Sequence, residues 1–142
     1  MLKNLGNKKA VHRSSTGTQG LVNATNAKEI IFGSFVSAKP LLNYLKATQP
    51  TEIMFVPMYA LEDQLFAEYM KDRLLEKNEI SMNDIKVKLS DHDWLQSSFL
   101  NPNNADFPED DFHLSLEVDT FDFFPIIRNQ EIVKNREENT YE

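Results

Sequence analysis

The sequence predicts an α/β fold in which βαβ units are layered around a mainly parallel sheet. Short β-rich segments at residues 9–12, 29–33 and 51–57 alternate with helix-like segments. The apolar run in EIIFGSF is typical of a strand that is buried on both faces, as in parallel sheets. Parallel neighbours need long crossover connections, and the helix-like segments are long enough to supply them.

The first three helices are predicted from apolar spacing and from start signals. Residues 18–26 follow a loop of small residues and predict a short helix. Ser37 is a candidate N-cap for a second helix that ends near Gln49. The segment ALEDQLFAEYMKDRLLEK predicts the longest helix, with Leu61 and Leu65 on its buried side.

The C-terminal part predicts shorter elements. SMND predicts a capped helix start, and DHDWLQSSFL and EDDFHLSLEV each predict a further helix. TFDFFPII predicts an edge strand, because an edge tolerates Pro125. We therefore expect one α/β domain over residues 1–128 and a frayed polar tail over residues 129–142.

Composition excludes several classes of protein. Fifteen Lys and Arg against 22 Asp and Glu give a formal charge of -7, which repels nucleic acid. The absence of cysteine excludes disulfides and zinc sites built on thiolates. No apolar run approaches the roughly 20 residues that span a bilayer, so we expect a cytoplasmic protein with no membrane partner.

The stretch HRSSTGTQG predicts an anion site. Glycine lets the backbone approach a ligand, and the free N–H groups of a following helix favour negative charge. The candidate substrate-binding residues are Ser14, Ser15, Thr16, Gly17 and Thr18, and the candidate catalytic residues are His12 and Arg13. Loops of this composition also serve only as helix caps, and that alternative stays open.

Three segments occur in an order that points to one enzyme family. A Ser/Thr-Gly-Thr loop at residues 15–20 comes first, and a GSF strand end with a Ser-Ala helix start at residues 33–38 comes second. An acidic pair, Glu62-Asp63, precedes Ala-Glu-Tyr in the third. In this order, and with the closing phenylalanine-rich segment, residues 12–124 resemble the 2-phosphosulfolactate phosphatase family.

The resemblance implies a magnesium-dependent α/β phosphatase that hydrolyses 2-phosphosulfolactate, a small anionic phosphoester, on the route to coenzyme M. Mg²⁺ held by Glu62 and Asp63 would offset charge on the phosphoryl group. Acids in a first helical turn also complement the helix dipole, so a structural role for the pair stays open. Asp91-His92-Asp93 has metal-ligand side chains, but neighbouring residues on a helix point apart.

The sequence also departs from the family pattern. The N-terminal α/β portion of the family, with its Asp-Val-Leu-Arg-Ala strand, has no counterpart, so we expect the C-terminal part of the fold. A second copy or a partner chain is then expected to cover the open sheet edge. Tyr59 and Ala60 replace a glycine-containing turn, and Phe66 replaces a smaller residue. The alternatives are a non-catalytic subunit that binds phosphate-like anions or a partner, and an effector-binding module without metal.

Overall fold

The computed structural model describes residues 11, 17–104 and 106–136, which form six α-helices, one short 3₁₀ helix (Phe35–Ser37) and two strands. The helices are α1 (Gly17–Asn23), α2 (Ala38–Thr48), α3 (Leu61–Leu74), α4 (Met82–Ser90), α5 (Asp93–Ser98) and α6 (Glu109–Ser115). The strands are β1 (Phe123–Arg128) and β2 (Glu131–Arg136). Each α-helix falls in a segment for which the sequence predicts one. Among these residues no helix has the length and apolar character to cross a bilayer.

The sheet differs from the prediction. Within the described residues it consists of β1 and β2, paired antiparallel with Ile126 opposite Val133. The predicted strand at residues 29–33 contributes a single antiparallel bridge, from Ile31 to Ile126. The predicted strand at residues 51–57 has no strand partner there. The layered parallel sheet is therefore not present in this part of the chain, because an apolar run indicates burial and does not fix a strand's partner or direction.

Residues 129–136 also differ from the expected tail. Asn129 and Gln130 both have positive φ angles, 50° and 64°, as a tight two-residue hairpin turn requires. The turn returns the chain along β1, and Glu131–Arg136 pairs with it as β2. The segment is mostly polar, and for that reason the sequence predicted a frayed tail and not a hairpin. Residues 137–142 lie outside the described residues.

One apolar core joins helices α2 to α6 to the first strand. Its buried members are Phe35, Ala38, Leu41, Leu45, Leu65, Phe66, Met70, Ile85, Leu89, Leu95, Phe112, Leu116, Phe124 and Ile126. Burying a large apolar side chain contributes about 1.5–3 kcal/mol, so this cluster dominates the folding free energy. The core holds α3 and α5 through Leu65 and Leu95, whereas the first residues of both helices are not buried.

The start of α2 is closed by a distant segment. Ser37 occupies the N-cap position as predicted, but its hydroxyl makes no capping hydrogen bond. The carboxylate of Asp119 instead accepts the Lys39 N–H at 2.6 Å, from 80 residues further along the chain. The Asp119 N–H donates to the Phe35 carbonyl at 3.1 Å and holds the same connection. The cap of α2 is therefore a tertiary contact.

A second polar contact joins α2 to the end of β1. The Tyr44 hydroxyl donates to one oxygen of Glu29 at 2.7 Å, and Arg128 donates to the other at 2.8 Å. The Tyr44 hydrogen bond, reinforced by Arg128, lowers the pKa of Glu29 below its ordinary value against the opposing effect of partial burial. The ionised form of Glu29 is thus the one that the fold stabilises.

Candidate functional site

A cleft of about 510 Å³ lies at the start of α3. One wall is the turn and first helical turn at residues 58–64, and the other wall contains His92, Trp94 and Leu95 from the α4–α5 junction. Clefts of this volume suit small organic ligands. The lining contains the predicted metal pair Glu62 and Asp63.

The acidic wall is built by a turn that folds back on the helix start. Ala60 is the N-cap residue of α3, which places Glu62 and Asp63 in the first helical turn. One carboxylate oxygen of Asp63 accepts the Met58 N–H at 3.1 Å, so this side chain also closes the turn. Glu62 makes no hydrogen bond or ion pair within the described residues. Among the described residues, the first turn therefore offers one carboxylate without a partner, Glu62, and one, Asp63, with a single oxygen engaged.

Helix α1 packs directly on this turn. A Cβ atom added to Gly20 would lie 2.9 Å from Met58 Sδ, so the α1 backbone meets the first residue of the acidic wall. Of the predicted anion loop, Gly17 begins α1 and Thr18 is half-buried in its first turn. The remaining predicted residues, His12, Arg13, Ser14, Ser15 and Thr16, lie outside the described residues. Helix α1, which follows the loop, thus contacts Met58 in the turn that leads to the predicted metal pair.

The family model described as 2-phosphosulpholactate phosphatase matches residues 1–130 of the 142-residue chain. The chain belongs to this family. No curated protein and no solved structure matches it significantly. Membership of the 2-phosphosulpholactate phosphatase family supports a phosphatase, a hydrolase of phosphoric monoesters, and it agrees with the mixture of helices and strands.

The structure explains one departure from the phosphatase family pattern. Tyr59 lines the cleft with φ of 129°, a conformation that favours glycine, and its side chain is 87% exposed. A glycine-type turn is therefore retained there although the residue is tyrosine. Strained backbone of this kind persists where the surrounding structure holds it in place, and it is frequent at functional sites.

The second departure lies away from the cleft of this phosphatase. Phe66 is buried in the core, edge-to-face with Phe35 at a centroid distance of 5.2 Å. A Cβ atom on Gly33 would overlap its ring. Phe66 is absent from the described cleft lining, so its larger ring does not narrow that part of the cleft. The larger ring instead fills the space that Gly33 leaves.

His92 and Trp94 line the cleft, and the sequence did not predict either as a site residue. The Asp91-His92-Asp93 triplet drew attention as a metal-ligand type, and within the described residues no group of three or more such side chains is placed to hold a metal. His92 alone of the three lines the cleft. A histidine two residues before Trp94 is only a weak local indication of a binding site. The position of His92 depends on the packing of α5 on α4.

Proposed function

We propose that this chain hydrolyses 2-phosphosulfolactate to sulfolactate and phosphate in the cleft at the start of α3. The contact of Gly20 with Met58 carries the proposal, because it joins the helix of the hydroxyl-rich loop to the turn before Glu62 and Asp63. In this proposal the donors of that loop bind the anion close to the oxygen ligands of a cation. Phosphoryl transfer needs both, since catalysis consists largely of positioning and charge stabilisation.

The predicted loop supplies the phosphate contacts in this proposal. Backbone N–H groups and the hydroxyls of residues 14–18 would donate to phosphate oxygens, and Arg13 would add a planar pair of charged donors. His12 would donate a proton to the oxygen that leaves with sulfolactate. An anionic substrate needs such donors here, because the described wall of the cleft is acidic.

Mg²⁺ is the proposed cofactor, and the residues of the acidic wall suit it. Glu62 and the oxygen of Asp63 that Met58 does not engage provide two carboxylate donors. Mg²⁺ typically takes only one or two protein carboxylates, with water and substrate phosphate completing its shell. The bound ion would offset negative charge on the phosphoryl group. A place on the cytoplasmic route to coenzyme M belongs to the same proposal.

The decisive experiment measures phosphate release from 2-phosphosulfolactate by the purified chain, with Mg²⁺ and with a chelator. We expect release only with Mg²⁺, and a loss of at least tenfold in Asp63→Asn and Glu62→Gln. Glu68→Gln is the matched control, since Glu68 lies on α3 outside the cleft and is exposed. Thr16→Val with Thr18→Val should weaken phosphate binding and leave the fold unchanged.

Absence of release from folded protein would contradict the proposal and favour a non-catalytic subunit. One observation supports a partner in either case. Met54 and Val56 are 77% and 59% exposed, in a segment without a strand partner among the described residues. A second copy or a partner chain would remove this apolar surface from water. Sedimentation of wild type and Met54→Lys tests the second copy, which the substitution should weaken.

A further inference from the structure

We propose that His92 and Trp94 form a subsite of the cleft that binds the acid group carried by the substrate beside its phosphate. The ligand chemistry is a carboxylate or sulfonate oxyanion on a short carbon chain. This inference rests on the proposed function, because it specifies which residues of that cleft select the organic part of the phosphoester. His92 and Trp94 are then specificity-determining residues.

The two walls of the cleft differ in charge. Residues 58–64 contribute Glu62 and Asp63, whereas the opposite wall comes from the start of α5. Among the lining residues that the structure describes, His92 is the one side chain that is able to carry positive charge. Trp94 adds an indole N–H, which donates a hydrogen bond and accepts none. The wall with Glu62 and Asp63 carries hydrogen-bond acceptors, and the wall with His92 and Trp94 carries donors. The two walls therefore suit different ends of one ligand.

Within the part of the chain that the structure describes, His92 has no partner that would explain its polar ring. Its side chain is exposed and makes no hydrogen bond or ion pair within the described residues. His113 offers the contrast, since its Nε2 lies 3.3 Å from the carboxylate of Glu109 on the same helix. The imidazole in the cleft is therefore available to a ligand, whereas the imidazole on α6 is engaged by a neighbour.

Trp94 is held in place by two other rings. Its centroid lies 5.9 Å from that of Phe99 and 6.0 Å from that of Phe107, both in edge-to-face contact. Such pairs fix ring orientation, so the indole is a supported wall even though it is half exposed. Trp94 is also the only tryptophan of the chain, which makes its fluorescence a direct probe of ligands in the cleft.

The test compares three phosphate monoesters of similar size. Ethyl phosphate lacks a second acid, phosphoglycolate carries a carboxylate, and 2-sulfoethyl phosphate carries a sulfonate. Binding is followed by Trp94 fluorescence and by calorimetry, with a chelator present to prevent turnover. We expect wild type to bind at least one of the acid esters about tenfold more tightly than ethyl phosphate, as one charge-assisted hydrogen bond allows. The tighter of the two identifies the acid group.

His92→Gln should abolish this preference and leave the affinity for ethyl phosphate unchanged. His113→Gln is the matched control and should keep the preference. Trp94→Phe, followed by calorimetry, keeps an aromatic ring, removes the N–H donor and should reduce the preference. Circular dichroism verifies the fold of each variant, and His92→Asn provides a second substitution at the same position.

Two results overturn the subsite. One is equal binding of all three esters by wild type, and the other is an undiminished preference in both His92 variants. If the esters still bind and 2-phosphosulfolactate is still hydrolysed, the proposed function survives either result. If wild type neither binds any ester nor releases phosphate, the proposed function fails and the subsite fails with it.

Discussion

The closure of α2 and the cleft at α3 use polar side chains in opposite ways. Around α2, Asp119 caps the helix and Glu29 binds both Tyr44 and Arg128. Around the cleft, Glu62 and His92 have no polar partner within the described residues. Polar groups in the first region are bound by other parts of the fold, whereas those in the second are not bound by any described residue. This difference is the reason why we propose the cleft as the functional site.

The backbone shows the same contrast. Gly33 sits where the buried ring of Phe66 leaves no room for a Cβ atom, so local sequence and packing agree. Tyr59 holds a glycine-type φ of 129° at the cleft, so local sequence and conformation disagree. Proteins commonly tolerate such a conflict at functional sites and avoid it in the core. Substitutions in the two regions should therefore differ in size and in sign.

The largest effect is expected for Gly33→Ala. The added Cβ overlaps the ring of Phe66, which is buried and confined by Phe35, so the core must shift. Overpacking of this kind costs about 1–3 kcal/mol, and we expect the upper half of that range in the free energy of unfolding from urea denaturation. Gly20→Ala is the control, because there the atom that must move is the flexible end of Met58.

A double-mutant cycle identifies the cause. Phe66→Leu removes the ring, so the cost of Gly33→Ala should fall by more than half in that background. Equal costs in both backgrounds would show that Gly33 matters for another reason. The contrast between a core where sequence and packing agree and a cleft where they conflict would then lose its clearest example.

The second effect concerns the cap of α2. Asp119→Ala removes the acceptor of the Lys39 N–H and should cost about 1–2 kcal/mol. Asp119→Asn keeps an acceptor and tolerates the φ of 61°, so it should cost less. Ser37→Ala is the control, since that hydroxyl makes no cap hydrogen bond. A larger loss in Ser37→Ala than in Asp119→Ala would reverse the assignment of the cap.

The helices could be predicted because their signals are local. Ser81, which the sequence marks as a helix start, accepts the Asp84 N–H at 3.1 Å as a capping residue does. Strand partners are not local. Residues 29–33 have the composition of a buried strand, but their antiparallel bridge to Ile126 joins segments about 95 residues apart, and no pattern in EIIFGSF encodes it.

The candidate site was predicted in part for the same reason. Glu62 and Asp63 could be found because an acidic pair between a strand-like segment and a helix is a local pattern. His92 could not, because its neighbours Asp91 and Asp93 suggested a shared role that the helix start prevents. Its position in the cleft depends on how α5 packs on α4 and on the cleft wall at α3.

A smaller, pH-dependent effect is expected for Tyr44→Phe. The Tyr44 hydroxyl is the main cause of the lowered pKa of Glu29, so its contribution is present above the unfolded pKa of about 4.3. That contribution is lost as the pH falls through the lower pKa of the folded state. Glu29 is partly exposed, so we expect a cost of about 0.5–1 kcal/mol at pH 7 that shrinks at low pH.

Denaturation of wild type and Tyr44→Phe at pH 7 and pH 3 measures this difference. The ring contact with Phe124 is kept in the variant, so packing is nearly unchanged. Glu29→Gln should show the same loss of pH dependence, because it removes the titrating group. A stability difference that is the same at both pH values would mean that the hydroxyl acts without Glu29.

The smallest effect is expected at Tyr59 and has the opposite sign. Its exposed ring contributes little packing, and its backbone conformation costs a non-glycine residue about 1–3 kcal/mol. Glycine relieves that cost but loses about 0.5–1 kcal/mol through the entropy of the unfolded chain. At this exposed turn we expect the strain to lie near the low end of its range, so Tyr59→Gly should stabilise the protein by up to about 1 kcal/mol in urea denaturation. Tyr59→Ala, which keeps a Cβ atom, should give no such gain.

The same pair of variants connects strain to function. If the strained turn positions the acidic wall through the Met58 N–H and Asp63, relaxing it should lower kcat/KM for 2-phosphosulfolactate although stability rises. Tyr59→Ala keeps the strain and should keep that activity. Equal activity of wild type, Tyr59→Gly and Tyr59→Ala would show that the strained conformation does not contribute to catalysis. Tyr59 would then be a tolerated replacement of glycine, and the case for the cleft would rest only on Glu62 and His92, which have no polar partner among the described residues.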